Sequence, residues 1–249
     1  MAKSSYLVLI RHAESEANVA KDNSDVPTTK ITKLGHAQAK RAAEYISSLK
    51  FLNIKYIVSS PYTRTLETAE YIAKKLKLKV NIEPDLREAS GGITDGVKYE
   101  DIKHLTKKIR HKTPSGKIVE KVYPVGAKLN EIDNTLSKMA KAGVSRAEPA
   151  WIALIDEFIE LSGGETDVDV YKRASRAIKK YTAKGNTLVV SHGGTIKEYL
   201  GQRFNINAST IGANYAQDAN GKDITNCHIS IIHGDKLMTM LDTKYLGKS

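Results

Sequence analysis

The chain has 249 residues, 41% of them hydrophobic and 27% charged, with a formal net charge of +11 and a single cysteine. That length and balance suit a globular α/β protein with room for an insertion, and one cysteine excludes an internal disulfide or a thiolate metal cluster. The excess of positive charge points to an anionic partner, but aromatics make up only 6% and no basic stretch is interleaved with them, so nucleic acid is not expected.

Taken in order, Leu7-Val8-Leu9-Ile10 reads as a strand buried on both faces, ending abruptly in Arg11-His12. This strand is too short for a signal-peptide core, and no later run approaches a membrane span. A cytoplasmic protein in a reducing compartment is therefore expected. Glu14 to about Asp22 suits a short helix, and Asp25–Thr29 a loop. Thr32 would cap a helix carrying Ala39, Ala42, Ile46 and Leu49 at three-to-four spacing. Lys55–Ser59 is a second strand, and Ser60-Pro61 would open the next helix, with the serine as cap and the proline at its first position. A third strand near Lys79–Ile82 leads to Leu86-Arg87-Glu88.

From about residue 89 to 164 the strand–helix alternation breaks. Lys98–Lys112 reads as helical, Thr113–Val125 as a proline-punctuated connection, and two amphipathic helices follow. Alternation then resumes with a helix over Asp167–Thr182. Thr187–Val190 is a strand running into Ser191-His192-Gly193-Gly194-Thr195, and a further helix follows it. Two closing strands lie around Asn226–Ile232 and Leu237–Leu241. The expected fold is a three-layer α/β/α domain over all 249 residues, with a mostly parallel central sheet. A mainly helical insertion would cover the carboxyl edge of that sheet.

Two buried strands thus end in a histidine followed by small residues, 180 positions apart. In a parallel sheet their carboxyl ends share one side, where open α/β folds bind ligands, so His12 and His192 can converge. Arg11 and Arg64 would add bidentate recognition of phosphate oxygens. The helix starting at Gly193-Gly194 would offer backbone N–H groups to an anion. His36, His104, His111, His228 and His233 have no metal-ligand spacing and are read as structural, and no metal or cofactor site is expected.

Five motifs in order resemble the histidine phosphatase superfamily, in its phosphoglycerate mutase-like branch. They are Arg11-His12-Ala13-Glu14-Ser15 with Asn18, Thr32-Lys33-Leu34-Gly35 with Gln38-Ala39, Ser59-Ser60-Pro61-Tyr62-Thr63-Arg64-Thr65 with Thr68-Ala69, Leu86-Arg87-Glu88, and Ser191–Gly194. Gly163-Gly164-Glu165-Thr166, before a helix containing Arg173, is similar too. Ala13 replaces a glycine common in the family, which implies that the backbone there does not need a positive φ.

The resemblance implies that neutral His12 attacks phosphorus and becomes a phosphohistidine, with its other ring nitrogen held by a backbone carbonyl. Arg11, Arg64 and His192 would stabilise the phosphoryl oxygens, and Glu88 would act as general acid and then base. Asn18, Ser15, Gly193 and Thr32 would complete the phosphate and substrate site. Mutases of this branch carry an aromatic-rich stretch after the first motif and an Asn-Ser pair where this chain has Gly194-Thr195. Their absence implies a metal-independent phosphatase acting on a small phosphorylated metabolite. Nine Lys/Arg against three acids between Lys98 and Lys128 suggest a polyanionic one. Mutase-type phosphoryl transfer and a non-catalytic phosphate-binding module are the alternatives, and a homodimer is compatible with the sequence.

Overall fold

The computed structural model describes residues 4–20, 26–112, 118–144, 148–206 and 226–246. In chain order the elements are β1 (Tyr6–Arg11), α1 (Glu16–Ala20), α2 (Lys33–Ser48), β2 (Tyr56–Ser59), α3 (Thr63–Leu76) and β3 (Val80–Ile82). There follow β4 (Thr106–Lys112), β5 (Ile118–Pro124), α4 (Gly126–Lys141), α5 (Pro149–Ser162) and α6 (Asp167–Thr182). The chain closes with β6 (Thr187–Ser191), α7 (Gly193–Phe204), β7 (Ile229–His233) and β8 (Lys236–Asp242). They fall into two compact units, one of residues 1–20, 27–89 and 167–249, the other of 21–26 and 90–166.

The larger unit is built on a six-stranded sheet in the order β3-β2-β6-β1-β7-β8. The first four strands run parallel, while β7 and β8 are antiparallel to their neighbours. Strand alternation divides its core. Val8, Ile10, Ile57, Leu188 and Val190 pack with Ala39, Ala42 and Ile46 of α2 and with Ala69 and Ile72 of α3. On the other face, Leu7, Leu9, Val58 and Val189 pack with Ala174 and Ile178 of α6 and with Ile196 and Leu200 of α7. Each fully buried aliphatic side chain contributes about 1.5–3 kcal/mol, which is why these strands read as continuous apolar runs. The result is the expected three-layer α/β/α arrangement with a mostly parallel sheet.

Thr32 caps α2 as its sequence position suggested, its hydroxyl accepting from the Gly35 N–H at 3.0 Å. Position 35 has to be glycine, because a Cβ there would lie 2.2 Å from the Glu14 carbonyl oxygen. The helix expected from Ser60-Pro61 instead begins at Thr63, with Tyr62 as the residue before it. Ser60 remains tied to the sheet through its N–H to Val190 O, and its hydroxyl accepts from Tyr62 N at 3.3 Å, a turn that delays the helix.

The smaller unit corrects the reading of residues 98–125. Tyr99–His104 forms a short 3₁₀ turn, and Thr106–Lys112 is a strand paired antiparallel with Ile118–Pro124. Ile102, Leu105 and Ile109 are spaced as on a helix, which is what misleads. The deciding partner is β5, rich in β-branched residues and placing Glu120 opposite Arg110. The residues between the two strands, 113–117, lie outside the described ones. The unit's core joins Ile102, Val125 and Leu129 with Tyr123, Phe158 and Leu161.

Candidate active site

All the residues singled out at strand ends belong to the larger unit. In the sheet β6 runs between β1 and β2, so the ends carrying His192, Arg11-His12 and Ser60 are adjacent. The register fixes this closely, with Arg11 opposite Ser191 and Ser59 opposite Val190.

His12 is almost fully buried, at 2% exposure. Its Nδ1 lies 2.7 Å from the Ala13 carbonyl oxygen. A carbonyl only accepts, so this contact assigns the proton to Nδ1 and leaves Nε2 with its lone pair. Arg64 Nε donates to that Nε2 at 3.2 Å. The same guanidinium reaches His192 Nδ1 with Nη2 at 3.1 Å, so His192 must carry its proton on Nε2, which lies 2.8 Å from Ser60 Oγ. Arg64, itself buried, thus bridges the two imidazoles, whose centroids are 5.4 Å apart. The Tyr62 ring lies edge-on to His192 and beneath the guanidinium.

Burial, and then the charges of Arg11 and Arg64, hold His12 well below the ordinary histidine range. Burial does the same to His192, helped by His12, Arg64, Arg11 and Arg173. Both rings are neutral near pH 7. The first is a lone pair aimed into a cationic pocket, a combination suited to attack on an electrophile bearing negative charge.

Arg11 packs against the start of α7, where a Cβ on Gly193 would lie 3.2 Å from its Nε. The next two residues serve a group of the protein itself. The N–H groups of Gly194 and Thr195 donate to the Glu88 carboxylate at 3.3 and 3.0 Å, and the Thr195 hydroxyl lies 3.3 Å from Oε1. The Ala89 N–H adds a bond of 2.9 Å. The anion at these two N–H groups of the helix terminus is therefore Glu88, where the sequence suggested a ligand. Arg173, also buried, donates to the carbonyls of Asp85 and Arg87 at 2.8 Å and of Glu88 at 3.1 Å.

Asn18 accepts on Oδ1 from Ser15 N at 3.1 Å, from Ser15 Oγ at 3.0 Å and from Asn226 Nδ2 at 2.9 Å. Ser15 thus orients Asn18, leaving the amide NH₂ as the end of Asn18 directed away from these three bonds. The Thr32 hydroxyl donates to Glu14 Oε1 at 2.7 Å, so Thr32 is engaged with α2 and the loop after β1. Among the described residues no group of three or more His, Cys, Asp or Glu is placed to hold a metal ion, and no helix is long and apolar enough to cross a membrane.

A sequence model of the histidine phosphatase superfamily, branch 1, matches residues 7–154 and 123–236. The chain belongs to the histidine phosphatase superfamily. Over 128 residues it is 32% identical to a probable phosphoglycerate mutase of Photorhabdus laumondii subsp. laumondii, covering 50% of this chain and 56% of that one. Over 96 residues it is 31% identical to a glucosyl-3-phosphoglycerate phosphatase of Mycobacterium tuberculosis, covering 39% and 42%. The matched stretches span about half the length of these curated relatives. The native structure of a mycobacterial glucosyl-3-phosphoglycerate phosphatase shares the fold, with a TM-score of 0.62 at 19% identity over 97% of this chain and 100% of that one.

Two residues of this superfamily member escaped the sequence reading. Ser60, where the sequence predicts a helix cap, instead meets His192. Its signal was present, because it adjoins the arginine motif. Asn226 donates to the His12 carbonyl at 3.3 Å as well as to Asn18, yet nothing in the local sequence marks it. His228, read as structural, is buried beside the site; its carbonyl accepts from Arg11 N at 3.2 Å. Burial, reinforced by Arg11, pushes its ring down to about 3.

Proposed function

We propose that this chain hydrolyses phosphomonoesters of a small polyanionic metabolite through a phosphohistidine on His12. The observation that carries the reading is the neutral, Nδ1-protonated His12 whose Nε2 faces Arg64, with Arg11 and His192 around it. In the first step Nε2 forms a bond to phosphorus as the ester P–O bond breaks, and Glu88, which enters as a carboxylate and takes up the proton of the monoanionic phosphomonoester, gives that proton to the departing oxygen. In the second, water attacks phosphorus, Glu88 takes its proton, and the P–N bond breaks to release inorganic phosphate. Arg11, Arg64, the His192 ring and the Asn18 amide stabilise the equatorial oxygens as charge spreads.

Hydrolysis is favoured by Gly194, where mutases of the branch carry asparagine. A Cβ at this position would lie 2.7 Å from Oε1 of Glu88, so the carboxylate occupies space that a side chain would take. Polyanion preference rests on the nine cations between Lys98 and Lys128. Mutase-type transfer is the second reading, supported by the mutase relatives.

The test is turnover of p-nitrophenyl phosphate and of a panel of phosphorylated metabolites, with rapid quench to trap the phosphoenzyme. Wild type should release inorganic phosphate and yield an acid-labile, base-stable phosphoprotein, and His12→Ala should do neither. Hydrolysis surviving in His12→Ala would overturn the mechanism. Interconversion of 3- and 2-phosphoglycerate without phosphate release would establish the second reading.

A further inference from the structure

Glu88 is held at two levels. Its carboxylate is gripped by the start of α7, and its backbone is gripped separately by one buried side chain. Arg173 projects from α6, and its guanidinium spans three carbonyls in four residues, those of Asp85, Arg87 and Glu88. This segment is a 3₁₀ turn, Pro84–Leu86, followed by extended backbone at Arg87. Such a turn supplies few ladder bonds of its own, so its carbonyls need outside donors. A planar fork with five N–H groups can serve several at once, whereas an ammonium is a single point. Thr195 completes the clamp, its hydroxyl donating to the Arg87 carbonyl at 2.7 Å.

We propose that Arg173 is a positioning residue for proton transfer, fixing the backbone of Glu88 so that its carboxyl group stays in register with the departing oxygen. This rests on the phosphohistidine reading above. Proton donation requires heavy atoms within hydrogen-bond reach in the transition state, and a shift of about 1 Å can cost roughly 100-fold. Arg173 acts by fixing the Glu88 backbone, whereas its charge, which helps to lower the His192 ring, bears on both kinds of ester alike.

The assignment predicts a selective defect. A proton donor matters most when the departing oxygen is strongly basic and little when it is not. Arg173→Lys and Arg173→Gln, shown to be folded by circular dichroism, are to be compared with wild type on p-nitrophenyl phosphate and on an alkyl phosphate such as glycerol 3-phosphate. Loss of kcat on the alkyl ester should exceed that on the aryl ester by about tenfold or more. Glu88→Gln should show the same pattern, and combining it with Arg173→Lys should add no further selectivity.

Equal losses on both esters, or additive selectivity in the double variant, would overturn the proposal. So would unfolding of both single variants, because the guanidinium would then support the fold at large. Failure of the underlying reading looks different: wild type itself would give no phosphohistidine.

Discussion

Gly194 and Glu88 share one small volume at the head of α7. The glycine's missing side chain leaves the place where Oε1 lies, 2.7 Å from where a Cβ would be. Because the crowded atom is the end of a flexible side chain, Gly194→Ala should fold normally, with stability changed by no more than about 1 kcal/mol. The carboxylate, however, must move. We expect kcat for alkyl phosphates to fall about 10- to 100-fold while the melting temperature holds. Unchanged turnover would separate Glu88 from the chemistry.

Arg64 serves both histidines with one rigid group, and lysine cannot reproduce that bridge. Arg64→Lys should lower kcat/KM by about 100- to 1,000-fold, a loss typical of removing one donor from a developing anion. Arg64→Met also removes a positive charge that depresses both rings. In that variant the His12 and His192 titrations, followed by nuclear magnetic resonance, should move upward toward the ordinary value. A downward movement would contradict the electrostatic account.

Acid should destabilise this protein earlier than carboxylate titration requires. Burial, assisted by neighbouring cations, keeps His12, His192 and His228 below the usual histidine range, so they stay neutral when folded and become protonated below about pH 6.5 when unfolded. The unfolded chain then binds more protons, so this contribution is fully present above roughly pH 6.5 and is lost as pH falls. Three such groups give a slope approaching ~4 kcal/mol per pH unit, at ~1.4 each. Denaturant melts between pH 7.5 and 5 measure it, and His228→Gln should reduce the slope by about a third. A flat profile down to pH 5.5 would refute it.

The cations of β4 offer a test of substrate class. Lys108 and Arg110 are exposed and pair with Glu120, while Lys107 donates to the Glu160 carbonyl. Exposed pairs of this kind are worth about 0–1 kcal/mol, so reversing all three charges should leave a folded protein. KM for a bisphosphorylated metabolite should rise several-fold more than KM for p-nitrophenyl phosphate. If KM is unchanged for every phosphate, the basic segment is only a solvated face.

How legible the site was depended on where each part lay relative to the strands. His12, His192 and Arg64 could be read because continuous apolar runs ended in polar groups, and parallel strand ends share an edge. Thr32 could be read because a cap acts on its own helix. The signal of Ser60, its place in the arginine motif, was overridden by a local pattern that also fits a helix start, and its partner is 132 residues away. Asn226 was hidden because nothing in its local sequence marks it and its partner His12 is 214 residues away. The ribbon of β4 and β5 was lost to an accidental helical spacing of Ile102, Leu105 and Ile109, which only strand pairing overrides.

The placement of β1 bears on biosynthesis. Both of its neighbours, β6 and β7, come from beyond residue 186, and the His12 carbonyl is capped by Cys227 N–H at 3.2 Å and by Asn226. Apolar on both faces, β1 therefore cannot complete its pairing until β6 and β7 have been made. Until then His12 is carried on an apolar segment open to misassociation. A nascent protein stopped before Asn226 has His12 without this enclosure, so the reaction proposed at His12 depends on completion of the sheet.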